Sequence, residues 1–473
     1  VSAAAVQAPS PARTRLGVTP VDRSRAFAID ELFFSTTDAK GVIRSGNEVF
    51  ARVSGMGLDE LVGQAHNVIR HPDMPRAVFR TFWDALGAGR GIAAYVKNLA
   101  ADGAYYWVMA FAVPAGDGFL SVRLKPSSPL FAVAQRIYAE VARVEREAED
   151  GDVRRRKAAI DAGVARLGEL LAAEGFGSYR AFMHAALTAE VTARGAAMAR
   201  SGAGEDEGPR GRAAGGDAFG VALDACGDAE QALERLVADL ARYGELAQAL
   251  GEKSAFVLGL AEEIRLFALN AVLSSSRLGA EGVALGAVAE ILGRRSDEAE
   301  PAIRALTADI DEAIGSLGAM GFRIAASTLM TEMVSVFLGD LRRNGHDPSA
   351  LATELTALAA GLADGGERLA SSFTALADRI GAIEGGVRKV DAELRVVRAL
   401  EVNGRVEGAR LADDAITQLF ASIAQQVADA REQLRSFTAL RAVARTGDAG
   451  REAAEVRARI AGAARQVRAL AGA

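Results

Sequence analysis

Two textures of hydrophobic and polar positions divide the chain. Between about Asp30 and Lys125 the apolar residues come in runs of strand length: Leu32 to Thr37, Gly41 to Arg44, Gly91 to Asn98, Tyr105 to Val113 and Phe119 to Leu124. Each is bounded by turn formers or polar residues, as strands are. Between the second and third runs, from Asn47 past Asp59-Glu60 to Arg76 through Leu86, the pattern is helical. Two strands, short helices and three strands predict a small α+β domain with a five-stranded antiparallel sheet covering a pocket on one side. Beyond Pro129 the apolar steps become three and four. Ile160, Val164, Leu167 and Leu171 form one stripe. Others are Leu233, Leu236, Leu240, Tyr243 and Leu250; Ile303, Leu306, Ile310 and Leu317; Val387, Val390, Leu394 and Val397; and Ile416, Leu419, Ile423, Val427, Leu434 and Phe437. Such spacing predicts an all-α coiled-coil or bundle region.

The expected divisions are a disordered leader over 1–29, the α+β domain over 30–125 and a helical connector over 126–200. A flexible, Gly-rich linker follows over 201–219, then a helical hairpin over 220–342, a C-terminal helical region over 343–445 and a helical or frayed tail over 446–473. Asn344-Gly345 and Gly385-Gly386 are the expected breaks. Phe 19, Trp 2 and Tyr 6 are few for 473 residues, and both tryptophans lie in the first domain, so the helices pack chiefly on small and aliphatic side chains.

The net charge of -6 disfavours whole-molecule attraction to nucleic acid or an anionic bilayer. Cys226 has no partner for an internal disulfide, and His66, His71, His184 and His346 are too scattered to build a Cys/His zinc cluster. The most apolar stretch, Ala313 to Gly339, is interrupted by Arg323 and Glu332 and reads as a buried helix pair, not a transmembrane segment. The first residues lack a basic region followed by an apolar core, so a cytoplasmic protein is expected.

Candidate chemistry gathers in GQAHNVIRHPDMP. Arg70, His71 and Asp73 follow closely there, stiffened by Pro72 and Pro75, and Arg70 offers a fork of donors for a carbonyl or phosphate. Asn98, ending a strand, offers both a donor and an acceptor. Trp83 offers an aromatic wall with one donor, or serves as core. Asp73 equally suits the cap of the helix that follows. His71 suits a loop pin or a haem ligand, His66 a structural role, and Lys97 a solvated strand position.

These residues carry a resemblance. Ser35 to Pro114, through STTDAKGVIRSGNEVFARVSGMGLDELVGQAHNVIRHPDMP, FRTFWDALGAGRG, VKN and YYWVMAFAVP, resembles the flavin-binding PAS domain of bacterial aerotaxis receptors. The resemblance implies FAD as cofactor, with haem or an empty pocket as alternatives, and places the flavin contacts on Arg70, His71, Asp73, Trp83, Asn98 and, more weakly, Asn47. Where the family has Trp-Ser-Gly-Ile this chain has Ile92, Ala93, Ala94 and Tyr95. One aromatic wall is lost, and Tyr95 is the nearest substitute.

A second stretch, Glu263 to Ala299, resembles the signalling hairpin of methyl-accepting chemotaxis proteins. Phe267 to Ala271 fall on the descending side, Arg277 and Gly279 at the turn, and Val288, Ala289 and Glu290 on the return. The family's charged and aromatic contact positions here hold Ser274, Ala280 and Val283 to Leu285. The resemblance implies a homodimer that covers the apolar seams, with a chemotaxis histidine kinase, its coupling protein or other chemoreceptors as partners. The erosion puts ordinary kinase control in question. Ser274 to Ser276 has no placed base, and no enzyme is expected. The sequence therefore reads as a PAS-containing signal transducer sensing redox state, oxygen or a small ligand, with a scaffold built on an empty PAS domain as the alternative.

Overall fold

The computed structural model describes residues 16–200, 217–277, 279–345, 347–443 and 446–472. Most of the expected linker, from 201 to 216, and the first half of the expected leader lie outside them, as does His346. Five strands, β1 (Phe33–Asp38), β2 (Ile43–Gly46), β3 (Ile92–Leu99), β4 (Tyr105–Ala115) and β5 (Gly118–Leu124), form an antiparallel sheet in the order β2-β1-β5-β4-β3. Helices α1 (Glu48–Ser54), α2 (Leu58–Leu61) and α3 (Arg76–Gly87) lie between β2 and β3. Glycine is required where β5 begins: a Cβ on Gly118 would sit 1.9 Å from the Thr37 carbonyl oxygen.

The later part of the expected leader is not disordered. Val21 and Arg25 donate backbone bonds to Gly103 and Tyr105, and the buried Phe27 ring meets Phe33 edge-on at 5.6 Å. An apolar anchor and strand-like bonding outweigh the polar composition around them.

The chain divides into two compact units. One takes in residues up to Leu240, then Gly321–Ala370 and Glu452–Ala473; the other is Ala241–Met320 with Ser371–Arg451. The boundaries fall inside helices. The expected divide near 342 marks only a chain reversal at Gly345, whose φ is +64°.

In the first unit, α4 (Leu130–Glu149), α5 (Arg156–Ala173) and α6 (Tyr179–Arg200) follow the sheet, joined by α7 (Ala218–Ala238), the last part of α9 (Val283–Arg343), the first part of α10 (Ala352–Arg410) and most of α12 (Thr446–Leu470). The buried stripe of α5 is Ala159, Gly163, Leu167 and Leu171. Val164 is exposed, so the expected stripe was rotated by one position in its first half. Small residues win there because Gly163 packs on Glu145: a Cβ would lie 2.7 Å from its carboxylate. That carboxylate accepts from the Arg76 and Ala77 amides at 2.8 and 2.7 Å, capping α3 in place of the sequence candidate Asp73.

The second unit contains α8 (Leu240–Arg277) from Ala241 onward, the first part of α9 (Val283–Arg343), the last part of α10 (Ala352–Arg410), and α11 (Asp414–Val443). Helices α8 and α9 make the expected hairpin, reversing at Gly279–Gly282. Helices α10 and α11 make a second hairpin laid along the first. Leu306 packs on Gly386, and Lys253 lies 5.2 Å above the Phe437 ring. The second hairpin covers part of the first one's apolar surface, while Leu266, Leu269, Leu273 and Val283 stay exposed. Among the described residues one helical stretch, Gly279–Arg343, is long and apolar enough to cross a membrane, and 78% of its most apolar window is buried.

One ion pair inside the first unit is nearly dry. Arg194 of α6 holds Glu332 of α9 through two bonds of 2.7 and 2.8 Å. Removing one partner leaves a buried charge uncompensated. Arg194→Met should therefore lower unfolding stability by about 3–5 kcal/mol, and adding Glu332→Leu should recover most of it, as read by denaturant titration of the full chain.

Candidate functional site

The strand register fixes which side chains share the concave face of the sheet. Phe33, Ser35 and Thr37 of β1 stand beside Arg123, Ser121 and Phe119 of β5. Arg123 and Ser121 oppose Ala110 and Ala112 of β4, which with Tyr106 oppose Ala94, Ile92 and Asn98 of β3. Helices α1 and α3 pack over this face, Phe50 stacking on Phe33 at 6.1 Å. Its centre is a floor of small side chains with a polar rim.

Arg123, 3% exposed, is the residue that sequence reasoning missed. Its Nη2 donates to Ser35 Oγ at 2.9 Å and contacts His66 Nε2 at 2.5 Å, and its guanidinium lies 5.2 Å from the Phe50 ring centre. Among the described residues no carboxylate pairs with it. Its Nη1, Tyr106 Oη and Thr37 Oγ1 are all buried without a hydrogen-bond partner among the described residues. Burial brings the Arg123 pKa down to about 10, and burial, reinforced by Arg123, keeps His66 neutral far below its usual range. The only sequence signal was a lone arginine in an otherwise apolar strand, FLSVRL.

The expected site residues fall in three places. Arg70, His71, Asp73 and Asn98 come together at the free edge of β3, where Arg70 pairs with Asn98 in an antiparallel bridge. Arg70 lies over the Phe79 ring at 4.1 Å and donates to the Met74 carbonyl at 2.9 Å. His71 is buried and its Nδ1 accepts from the Asp73 amide at 3.2 Å. Asp73 also pairs with Lys97 at 2.7 Å, so Lys97 is no free solvated residue. Asn98 is buried on the concave face. Trp83 stands apart, 40% exposed, with its ring edge on Gly41 and 5.6 Å from Phe119. Asn47 is occupied structurally: its side chain accepts from the Phe50 and Phe34 amides and donates to the Leu32 carbonyl.

Tyr95 lies on the convex face and cannot replace the lost wall, because alternate strand residues point oppositely. Its hydroxyl donates at 2.7 Å to the buried Glu190 of α6. Glu190 also accepts from the Ser127 and Ser128 amides, where β5 leads into α4, and from the Ser128 hydroxyl.

The concave face suits a flat ligand bearing carbonyl or anionic oxygens: the floor is Ala94, Ala110 and Ala112, and three polar atoms lack partners. FAD meets that description, with Arg123, Tyr106 and Thr37 as the groups that would satisfy it. Among the described residues no cluster of His, Cys, Asp and Glu suited to a metal is found.

Five antiparallel strands with short helices over one face define a PAS-type sensory fold, and residues 44–118 match the PAS fold family. The chain thus carries a PAS domain. Over 116 residues it is 40% identical to the aerotaxis receptor of Escherichia coli (strain K12). That stretch covers 24% of this chain and 23% of the receptor, so the chain matches under a quarter of its relative's length.

Burial, followed by the Lys97 charge, lowers His71 to about 4 from 6.5. A depressed base binds its proton more readily unfolded, so stability present above about 6.5 should be lost progressively as pH falls toward about 4. Melting temperatures of the full chain should decline over that window, and His71→Gln should make the decline shallower, leaving the share of the buried His184 and His66.

Proposed function

We propose that the chain is a signal transducer of the aerotaxis-receptor type, in which the PAS domain holds FAD and reads redox state or oxygen. The observation that carries this reading is the 40% identity over the sensory segment, and the unsatisfied groups on the concave face support it. A flavin, when bound, supplies a redox change that alters charge and protonation on its ring. The chain's part is to hold that charge and transmit its consequence. Arg123 is a buried cation able to favour added negative charge. Asn98, with Arg70 paired to it, stands at the edge of β3, and Tyr95 on the other face of that strand reaches α6. A shift in β3 biases the Tyr95 to Glu190 bond and hence the seating of α6, a two-state relay. The partners of this reading are a second copy of the chain, a chemotaxis histidine kinase and its coupling protein, or other chemoreceptors, all acting in the cytoplasm.

A second reading, a non-enzymatic scaffold with an empty PAS domain, draws on Arg70 and Asp73 being engaged by Met74 and Lys97. The visible spectrum of the gently purified full chain separates the readings. A flavin spectrum is expected, with Arg123→Met retaining at least tenfold less flavin at unchanged circular dichroism. A haem band would replace the cofactor. A colourless protein that takes up no added FAD would leave the scaffold.

A further inference from the structure

The two hairpins of the second unit share a packing register and a few matching residues before each reversal. Leu269-Asn270-Ala271 is followed, one helix stretch later, by Arg277-Leu278 and the reversal; Val402-Asn403-Gly404 is followed at the same spacing by Arg410-Leu411 and the second reversal. At one constant offset, the buried positions Tyr243, Leu250, Val257, Ala268 and Ala271 of α8 correspond to Leu376, Ile383, Val390, Glu401 and Gly404 of α10, all buried. On the return arms, at an offset two residues smaller because the second reversal is shorter, Leu285, Ala289, Leu292, Ile303 and Leu306 correspond to Ile416, Phe420, Ile423, Leu434 and Phe437, again all buried. Exposure repeats too: Leu269 and Leu273 are exposed, as are their counterparts Val402 and Val406.

The contacts between the hairpins obey the same correspondence. Lys253 is the counterpart of Gly386 and Leu306 that of Phe437. Gly386 meets Leu306, and Lys253 meets Phe437. One contact is therefore the image of the other under an exchange of hairpins, which is what an approximate two-fold axis between two copies of one unit produces. The copies have diverged in compensated pairs. Ala271 and Ala289 become Gly404 and Phe420, and a Cβ on Gly404 would lie 2.2 Å from the Phe420 ring.

We infer that α8 with the first part of α9, and the last part of α10 with α11, are tandem copies of one hairpin. The chain is a single-chain pseudo-dimer in this unit. The second copy occupies the place that a partner chain must take when each chain brings one hairpin, so the four-helix bundle is closed without a second molecule. Any pairing of two chains then uses other surfaces. The inference rests on the helical unit alone and does not depend on what the PAS domain binds.

Cross-linking of the full chain in a Cys226→Ser background tests it. Lys253→Cys paired with Phe437→Cys, and separately Leu306→Cys with Gly386→Cys, should each be joined by a short bis-maleimide into a product of single-chain mass. Products of two-chain mass as the main species would overturn the inference. The packing correspondence has its own readout. Gly404→Ala alone should lower the thermal midpoint, yet added to Phe420→Ala, which recreates the first copy's pair, it should lower the midpoint no further. An additive loss would show that the two pairs are not equivalents.

Discussion

The first unit depends on two charged side chains one turn apart on α6. Glu190 accepts five hydrogen bonds, from Tyr95 and from the backbone and hydroxyl groups of Ser127 and Ser128. Arg194 is locked to Glu332 while it also donates to the Ile29 and Asp30 carbonyls. A buried charge is tolerable only when nearly every donor and acceptor site is used, and both are close to that limit. The pair therefore fixes α6 simultaneously against the sheet, against the chain entering β1 and against α9. Phe34 on Phe337 and Phe111 on Phe322 complete the cover of the convex face at 5.1 and 5.7 Å, but only the polar contacts select one seating over its neighbours.

The concave face follows the opposite rule. There a guanidinium is buried against two aromatic rings with one nitrogen unsatisfied, and two hydroxyl oxygens share its condition. Each buried unmade hydrogen bond costs about 1–3 kcal/mol, so the face is assembled at a loss that the convex face does not carry. A domain saturated on one side and unsatisfied on the other keeps its unpaired polar groups and its helix contacts apart by the thickness of one strand layer.

How much of this was legible follows from what each signal depends on. The five strands were readable because alternation and turn residues are local, and so was the reversal at Gly345; the turn at Gly279 came from the family resemblance, and the expected break at Gly385-Gly386 lies inside the unbroken α10, where Gly386 packs on Leu306 instead. The loop from Arg70 to Asp73 was readable by its unusual sequence, although nothing local told that Lys97 and Met74 would engage it. Arg123 was hidden because a lone charge in a strand reads as solvent-facing until the partner strands and α1 close over it. Tyr95 misled for a related reason: an aromatic residue was counted without its strand parity. On α5 the hydrophobic count favoured Val164, whereas the close approach of Glu145 selected Gly163. Small residues concealed the second hairpin as well, because Gly404 and Gly408 carry no apolar signal although both are buried.

Closing four helices within one chain alters the stoichiometry of sensing. A bundle assembled from two chains is governed by two sensory domains and passes through a singly occupied, asymmetric state. Under the inferred pseudo-dimer and the proposed sensing role, each bundle belongs to a chain with one PAS domain, so that state does not arise within it. A ligand would then give a hyperbolic response, with any steepness arising between molecules.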